Sequence, residues 1–179
     1  AVTGETAYTA TYDAYFDFKA TIEHGTVSHN DVTQNNVMEW KGEKRGNRVG
    51  ETLTFMPETG FEIVGVKING TTVPVKLESD GSYVHTFTAG MRAEEKLIEV
   101  VTKQIEVVIN IQFTDGSNLL EIKVQQYSDI LLAITPATGT TIKSIKLIDP
   151  RNNETLVIGV PDGYLYAAAG IAESVKIIV

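Results

Sequence analysis

A turn of the form Pro-x-x-Gly, set between two alternating strands, is written twice in this chain, and that duplication limits the fold more than any other feature. The first copy spans 51–68, ETLTFMPETGFEIVGVKI, and the second 129–147, DILLAITPATGTTIKSIKL. Pro57 and Gly60 correspond to Pro136 and Gly139. Ile63, Val66, Lys67 and Ile68 correspond in the same way to Ile142, Ile145, Lys146 and Leu147, every pair 79 positions apart. Leu53 and Phe55 point one way while Thr52 and Thr54 point the other, the period of two of a half-buried strand. Pro57 has no N–H to continue a ladder, and Gly60 permits the reversal. Beyond the turn, Val64, Val66 and Ile68 rebuild an apolar face. In a chain of 179 residues the duplication predicts two units of roughly 80–90 residues each.

The flanking sequence has the same character. Phe16, Phe18, Ala20 and Ile22 alternate with Asp17, Lys19, Thr21 and Glu23, and His24-Gly25 is expected to turn the chain toward Val27. Residues 28–50 lose the pattern; they are expected to form a long inserted loop, with one helical turn around Val37–Trp40. Asn69-Gly70 and Asp80-Gly81 are turn signals, separating a strand at Val73–Leu77 from one at Tyr83–Phe87, and Leu97–Val101 closes the first unit. No Pro, Gly or Ser cluster follows, so a stiff boundary is placed at Lys103. The second unit opens on Ile105–Phe113 and continues through Asp115-Gly116 to strands near 120–124, 130–134, 142–148, 156–160, 164–168 and 175–179. The expected fold class is all-β: two tandem immunoglobulin-like antiparallel sandwiches, at 16–103 and 104–179, with 1–15 ending a preceding repeat or linker.

Gly50, Pro57, Gly60, Phe61, Asn69, Gly70, Asp80, Gly81 and Tyr83, preceded by Phe18–Ile22 and His24-Gly25-Thr26-Val27, give residues 16–101 a pattern that resembles the divergent internalin-type B-repeats and related bacterial immunoglobulin-like repeats. Residues 104–179 share it less closely, with Asp149-Pro150 in place of Asn-Gly and Thr140 in place of the turn aromatic. The opening VTGETAYTATY looks like the closing strand of a preceding repeat, and the start of the chain like a cut inside a longer polypeptide. The resemblance implies an extracellular surface protein or secreted enzyme of Gram-positive type, whose repeats act as spacers or adhesive modules. It implies no catalytic residues, and leaves open a smaller grasp-like sheet for the first unit.

Composition narrows the functions. A net charge of −8 argues against a nucleic-acid partner, which needs a concentrated basic surface. No apolar run reaches the ~18–20 residues of a helical membrane span. Without cysteine there are neither disulfides nor thiolate metal ligands. His24, His29 and Asp31 are neighbours in sequence but too few for a closed metal site, and His85 sits as a sheet residue between Tyr83 and Phe87. Glu58, Glu62, Glu94 and Glu95 fall at turn edges, where acids serve solubility rather than glycoside chemistry. Lys67 and Lys146 are conceivable isopeptide donors only if buried.

One segment stands out for binding. Trp40, the sole tryptophan, lies near Lys41, Lys44, Arg45 and Arg48 in the segment without a pattern. An exposed ring there suits stacking on a sugar or gripping an acidic partner; otherwise it folds back with Val37 and Met38 to cover an open end of the sandwich. The leading expectation is a non-catalytic, monomeric spacer or adhesive module that needs no cofactor, with a glycan or a host or cell-wall protein as partner. The alternative is a carbohydrate-binding module of a secreted polysaccharide-degrading enzyme, using Trp40 with Tyr83, Tyr164 or Tyr166.

Overall fold

The fold comes from a computed structural model, which describes residues 15–44, 49–88, 96–114, 119–136, 138–160 and 163–179. The opening VTGETAYTATY, expected as a closing strand, and the Asp115-Gly116 turn lie outside the described residues. Every regular element described is a strand, and the strands form several sheets, consistent with a β-sandwich. The chain divides into two compact units, Ala1–Lys103 and Gln104–Val179.

The first unit holds β1 (Tyr15–His29), β2 (Val32–Lys44), β3 (Thr52–Pro57), β4 (Phe61–Ile68), β5 (Thr71–Val73), β6 (Tyr83–Thr86) and β7 (Leu97–Gln104). Their order is β5-β4-β7-β1-β3-β6, with β2 on β1. The second unit holds β8 (Glu106–Gln112), β9 (Leu119–Gln125), β10 (Ile130–Ile134), β11 (Ile142–Ile148), β12 (Glu154–Val160), β13 (Tyr164–Ala168) and β14 (Val175–Ile178). Here β12-β11-β14-β8-β9 form one sheet and β10-β13 another. The two units share most of their pairings. In each, the fourth strand pairs the fifth and the seventh, the seventh pairs the first, the first pairs the second, and the third pairs the sixth. Among the described residues the first strand pairs the third only in the first unit; in the second, β8 and β10 lie in separate sheets.

The repeated segments occupy equivalent places. Gly60 and Gly139 both take positive φ, 89° and 84°, which a glycine adopts without steric cost. Ile63 and Val66 are buried in one unit, as Ile142 and Ile145 are in the other. That three-residue spacing breaks strict alternation, so Val64, expected on the apolar face, is exposed instead. The first core is rich in aromatics, with Phe18, Phe55 and Phe87 beside Ile22, Leu53 and Ile98. The second is aliphatic, built on Ile109, Ile145 and Ile177.

Four expectations need correction. The sheets are not wholly antiparallel: β1 runs parallel to β7 (Lys19 beside Leu97 through Ile22 beside Val100), and β8 parallel to β14. An immunoglobulin sandwich divides its strands as ABED and CFG; in these ladders the seventh strand pairs the first and fourth, so the order differs from that division. Within the expected inserted loop 28–50, residues 32–44 form β2, antiparallel to β1, and Val37–Trp40 are strand rather than helical turn; 45–48 lie outside the described residues. Asn30, at φ 51°, makes the tight turn into β2. Among the described residues β2 pairs only with β1, and Val32–Asn36 are exposed, so no apolar alternation marks its first half as a strand. Finally, the strand expected at Val73–Leu77 stops at Val73.

His24-Gly25 does not end β1 either, but bends it. His24 takes φ 52°, and four residues of β1, Ile22 to Gly25, stand against Asn36 alone on β2. The Asn36 carboxamide, with its nitrogen turned inward, donates to the Ile22 and Gly25 carbonyl oxygens at 3.2 Å each. Beyond the bend, Gly25–Ser28 pair with β3. The outcome is one strand of 15 residues that serves β7 with its first half and β3 with its second.

The turns carry local electrostatics. Asn69 and Gly70, at φ 49° and 80°, join β4 to β5, and the Asn69 side chain accepts from the Lys96 and Leu97 N–H groups. In the Asp80-Gly81 turn, hydrogen bonds from the Ser82 hydroxyl and backbone N–H hold the Asp80 carboxyl below its ordinary value. Because these bonds favour the charged form, their contribution is present above the unfolded carboxyl value and fades as pH falls through the folded one. NMR titration is expected to place Asp80 below the usual aspartate range, and Ser82→Ala to move it upward; an Asp80 value indifferent to Ser82→Ala contradicts this cause.

Candidate functional site

Two places on the first unit combine polar groups with concavity or aromatic surface. The first surrounds Trp40. β2 carries the ring over the β1 face, where it meets Phe18 with centroids 5.1 Å apart and His29 edge-on at 5.4 Å. Trp40 is half-buried on the core rather than standing free. Beneath it His29, only 6% exposed, brings Nε2 to 2.6 Å from a Glu51 carboxylate oxygen. The same nitrogen lies 3.4 Å from the Asn30 amide. Phe18 continues the aromatic contact to Phe87 at 5.2 Å, and Phe87 to His85, also buried, at 5.2 Å. This is a packed aromatic core with two histidines built in.

The five residues singled out for binding do not form one exposed patch among the described residues. Lys41 follows Trp40 on the strand, points to the opposite face and is exposed. Lys44 is half-buried and ends β2 opposite Tyr15. Arg45 and Arg48 lie outside the described residues, as do Glu94 and Glu95. The aromatic partners considered for a sugar platform are likewise used internally. Tyr83 is buried against Phe55. Tyr164 and Tyr166 pack on the second unit's core, where burial first, and Tyr164 second, raise the Tyr166 phenol above its ordinary value.

The second place is an open groove of about 630 Å³, formed where β1 bends away from β7. Ile22, Val37 and Val101 give it apolar walls; Glu23, His24, Asn36 and Glu99 give it polar ones. The Thr102 hydroxyl donates to the Glu23 carbonyl at 2.6 Å and ties the parted strands together. His24 stacks flat on Phe61, with centroids 4.2 Å apart, and its Nδ1 is 3.8 Å from Glu58. No local sequence signal marks this groove, because His24-Gly25 has the pattern of a turn and only its pairings make it a bend. Such an open depression offers a contact surface, not the enclosed, largely apolar cavity that small-molecule chemistry favours.

Metal and covalent chemistry find little support in the geometry. His24 lies in the bend of β1 and His29 at its end, and they face different partners, Glu58 with Phe61 and Glu51 with Trp40. No group of three His, Asp or Glu side chains placed to hold a metal occurs among the described residues. Lys67 is exposed, and Lys146 pairs with Glu154 at 2.9 Å, so neither is the buried amine an isopeptide bond requires. No helix among the described residues is long and apolar enough to cross a membrane. No family model, curated protein or solved structure significantly matches the chain.

Proposed function

We propose that the chain supplies two tandem, non-catalytic β-modules that serve as a spacer or adhesive stalk within a larger extracellular surface protein, of the kind the internalin-type and bacterial immunoglobulin-like repeats make up. The observation that supports this reading is the set of pairings common to the two units, fourth strand with fifth and seventh, seventh with first, first with second and third with sixth, beside the repeated Pro-x-x-Gly segments. Duplication of a whole module adds reach and bulk, and it is the arrangement expected when length rather than chemistry is selected. Parallel pairing of the first and last strands suits the same role. In each unit the strand that enters is bonded directly to the strand that leaves, so tension applied at the two ends loads a ladder in shear.

Pulling single molecules by their termini tests this. Two unfolding events are expected, each releasing about 25–30 nm, the extended length of one module at ~3.5 Å per residue. One event releasing the whole chain, or extension at negligible force, overturns the reading.

A further inference from the structure

The two copies differ on one face in a way the shared fold does not require. In the first unit the outward positions of the β3–β6 pair are Thr52, Thr54, Val84 and Thr86, with Thr52 beside Thr86 and Thr54 beside Val84. In the second unit the corresponding β10–β13 pair presents Leu131 beside Ala167 and Ala133 beside Leu165. All four are exposed, Leu131 at 68% and Leu165 at 58%. The inward residues of the same two strands, Ile130, Ile134, Tyr164 and Tyr166, already pack on the core. This small sheet is therefore apolar on both faces, a pattern that belongs to covered sheets rather than half-solvated ones. The first copy builds the equivalent β3–β6 ladder with mostly threonine at these places, so that ladder does not require the leucines and alanines.

We propose that the outer face of β10–β13 is a self-association surface, and that its partner is the same face of a second copy of this chain. The pattern itself is self-complementary. The two leucines occupy one diagonal of the four positions and the two alanines the other. Turned over about a two-fold axis parallel to the strands, Leu131 of one copy lies on Ala167 of the other, and Leu165 on Ala133. Large residues then meet small ones throughout, as interdigitating layers require, and the contact is isologous. The four positions carry no charge, while the chain as a whole carries −8, so long-range repulsion opposes the encounter and salt relieves it. A patch of roughly 300 Å² per copy is at the low end of large surface patches. Paired with itself it buries about 600 Å², half the ~1,200 Å² of a standard stable interface. The dimer is therefore reversible and driven by concentration, a departure from the monomer expected from sequence. This inference does not depend on the spacer reading.

Sedimentation velocity of the full chain from about 10 μM to about 1 mM tests it, beside a variant carrying the first copy's residues, Leu131→Thr with Ala133→Thr. The wild-type weight-average mass is expected to climb from 19.5 kDa toward twice that value, more steeply in higher salt. The variant is expected to stay monomeric over the whole range while keeping the wild-type melting temperature. A wild type that remains monomeric at every concentration overturns the proposal. So does a variant that associates as the wild type does, since another surface is then responsible. A monomeric wild type whose variant melts earlier also overturns it, because the face is then covered within the chain.

Discussion

Truncating Phe18 to alanine is expected to lower the stability of the first unit by about 3–5 kcal/mol, and to leave the second unit's unfolding transition unmoved. Phe18 is 2% exposed and sits at the junction of the aromatic contacts, with Trp40 on one side and Phe87 edge-on at the other. Its removal costs the transfer energy of a phenyl ring and leaves a void that neighbours on β1 and β2, and Phe87 just after β6, fill only in part. The two units have separate cores, so the damage stays in one of them. Calorimetry reads the two transitions. Trp40 emission supplies an independent signal, because the ring loses its packing partner and shifts toward the red in the still-folded protein. A loss below about 1 kcal/mol, or an equal loss in both transitions, contradicts this account of the core.

Gly25→Ala is the second large effect, and it tests the bend rather than the core. A Cβ at this position stands 2.5 Å from the Met56 carbonyl oxygen and 2.6 Å from Ile22 Cδ1. The isoleucine methyl can rotate aside; the carbonyl cannot, because Met56 belongs to the β3 ladder that pairs with β1 at this point. The strands must part, at a cost of about 1–3 kcal/mol or more. Gly65 is the control. An added Cβ there comes no nearer than 3.9 Å to Val101, and its backbone lies outside the left-handed region. Gly65→Ala is therefore expected to be neutral, or stabilising by up to about 1 kcal/mol through the unfolded state. Chemical denaturation of both variants separates the cases. Equal costs at the two positions show that close packing at Gly25 does not set the bend.

The candidate sites divide on the same line. The region around Trp40 was visible in sequence as the lone tryptophan among basic residues, but not the direction the ring takes. That direction follows from the side chain's place on β2, which lays it against Phe18 and His29. The His29–Glu51 contact joins residues 22 positions apart, with no local signal in the sequence. The groove depends on where β1 and β7 separate, and a pairing between the first and last strands of a unit has no short-range signature.

By itself the sequence determined what side-chain period and turn chemistry determine: an all-β chain, the repeated Pro-x-x-Gly segments, and most strand cores, because alternation and φ-specific residues act within a few positions. It left β2 unseen, since an edge strand satisfied by backbone bonds along one side needs no apolar alternation. Only the tertiary structure decided that the first and last strands lie parallel, that β1 bends rather than ends at His24-Gly25, and that the first strand pairs the third in the first unit alone. Those outcomes rest on contacts between residues tens of positions apart, where the gain from burial and ladder bonds outweighs the local preference of any single turn.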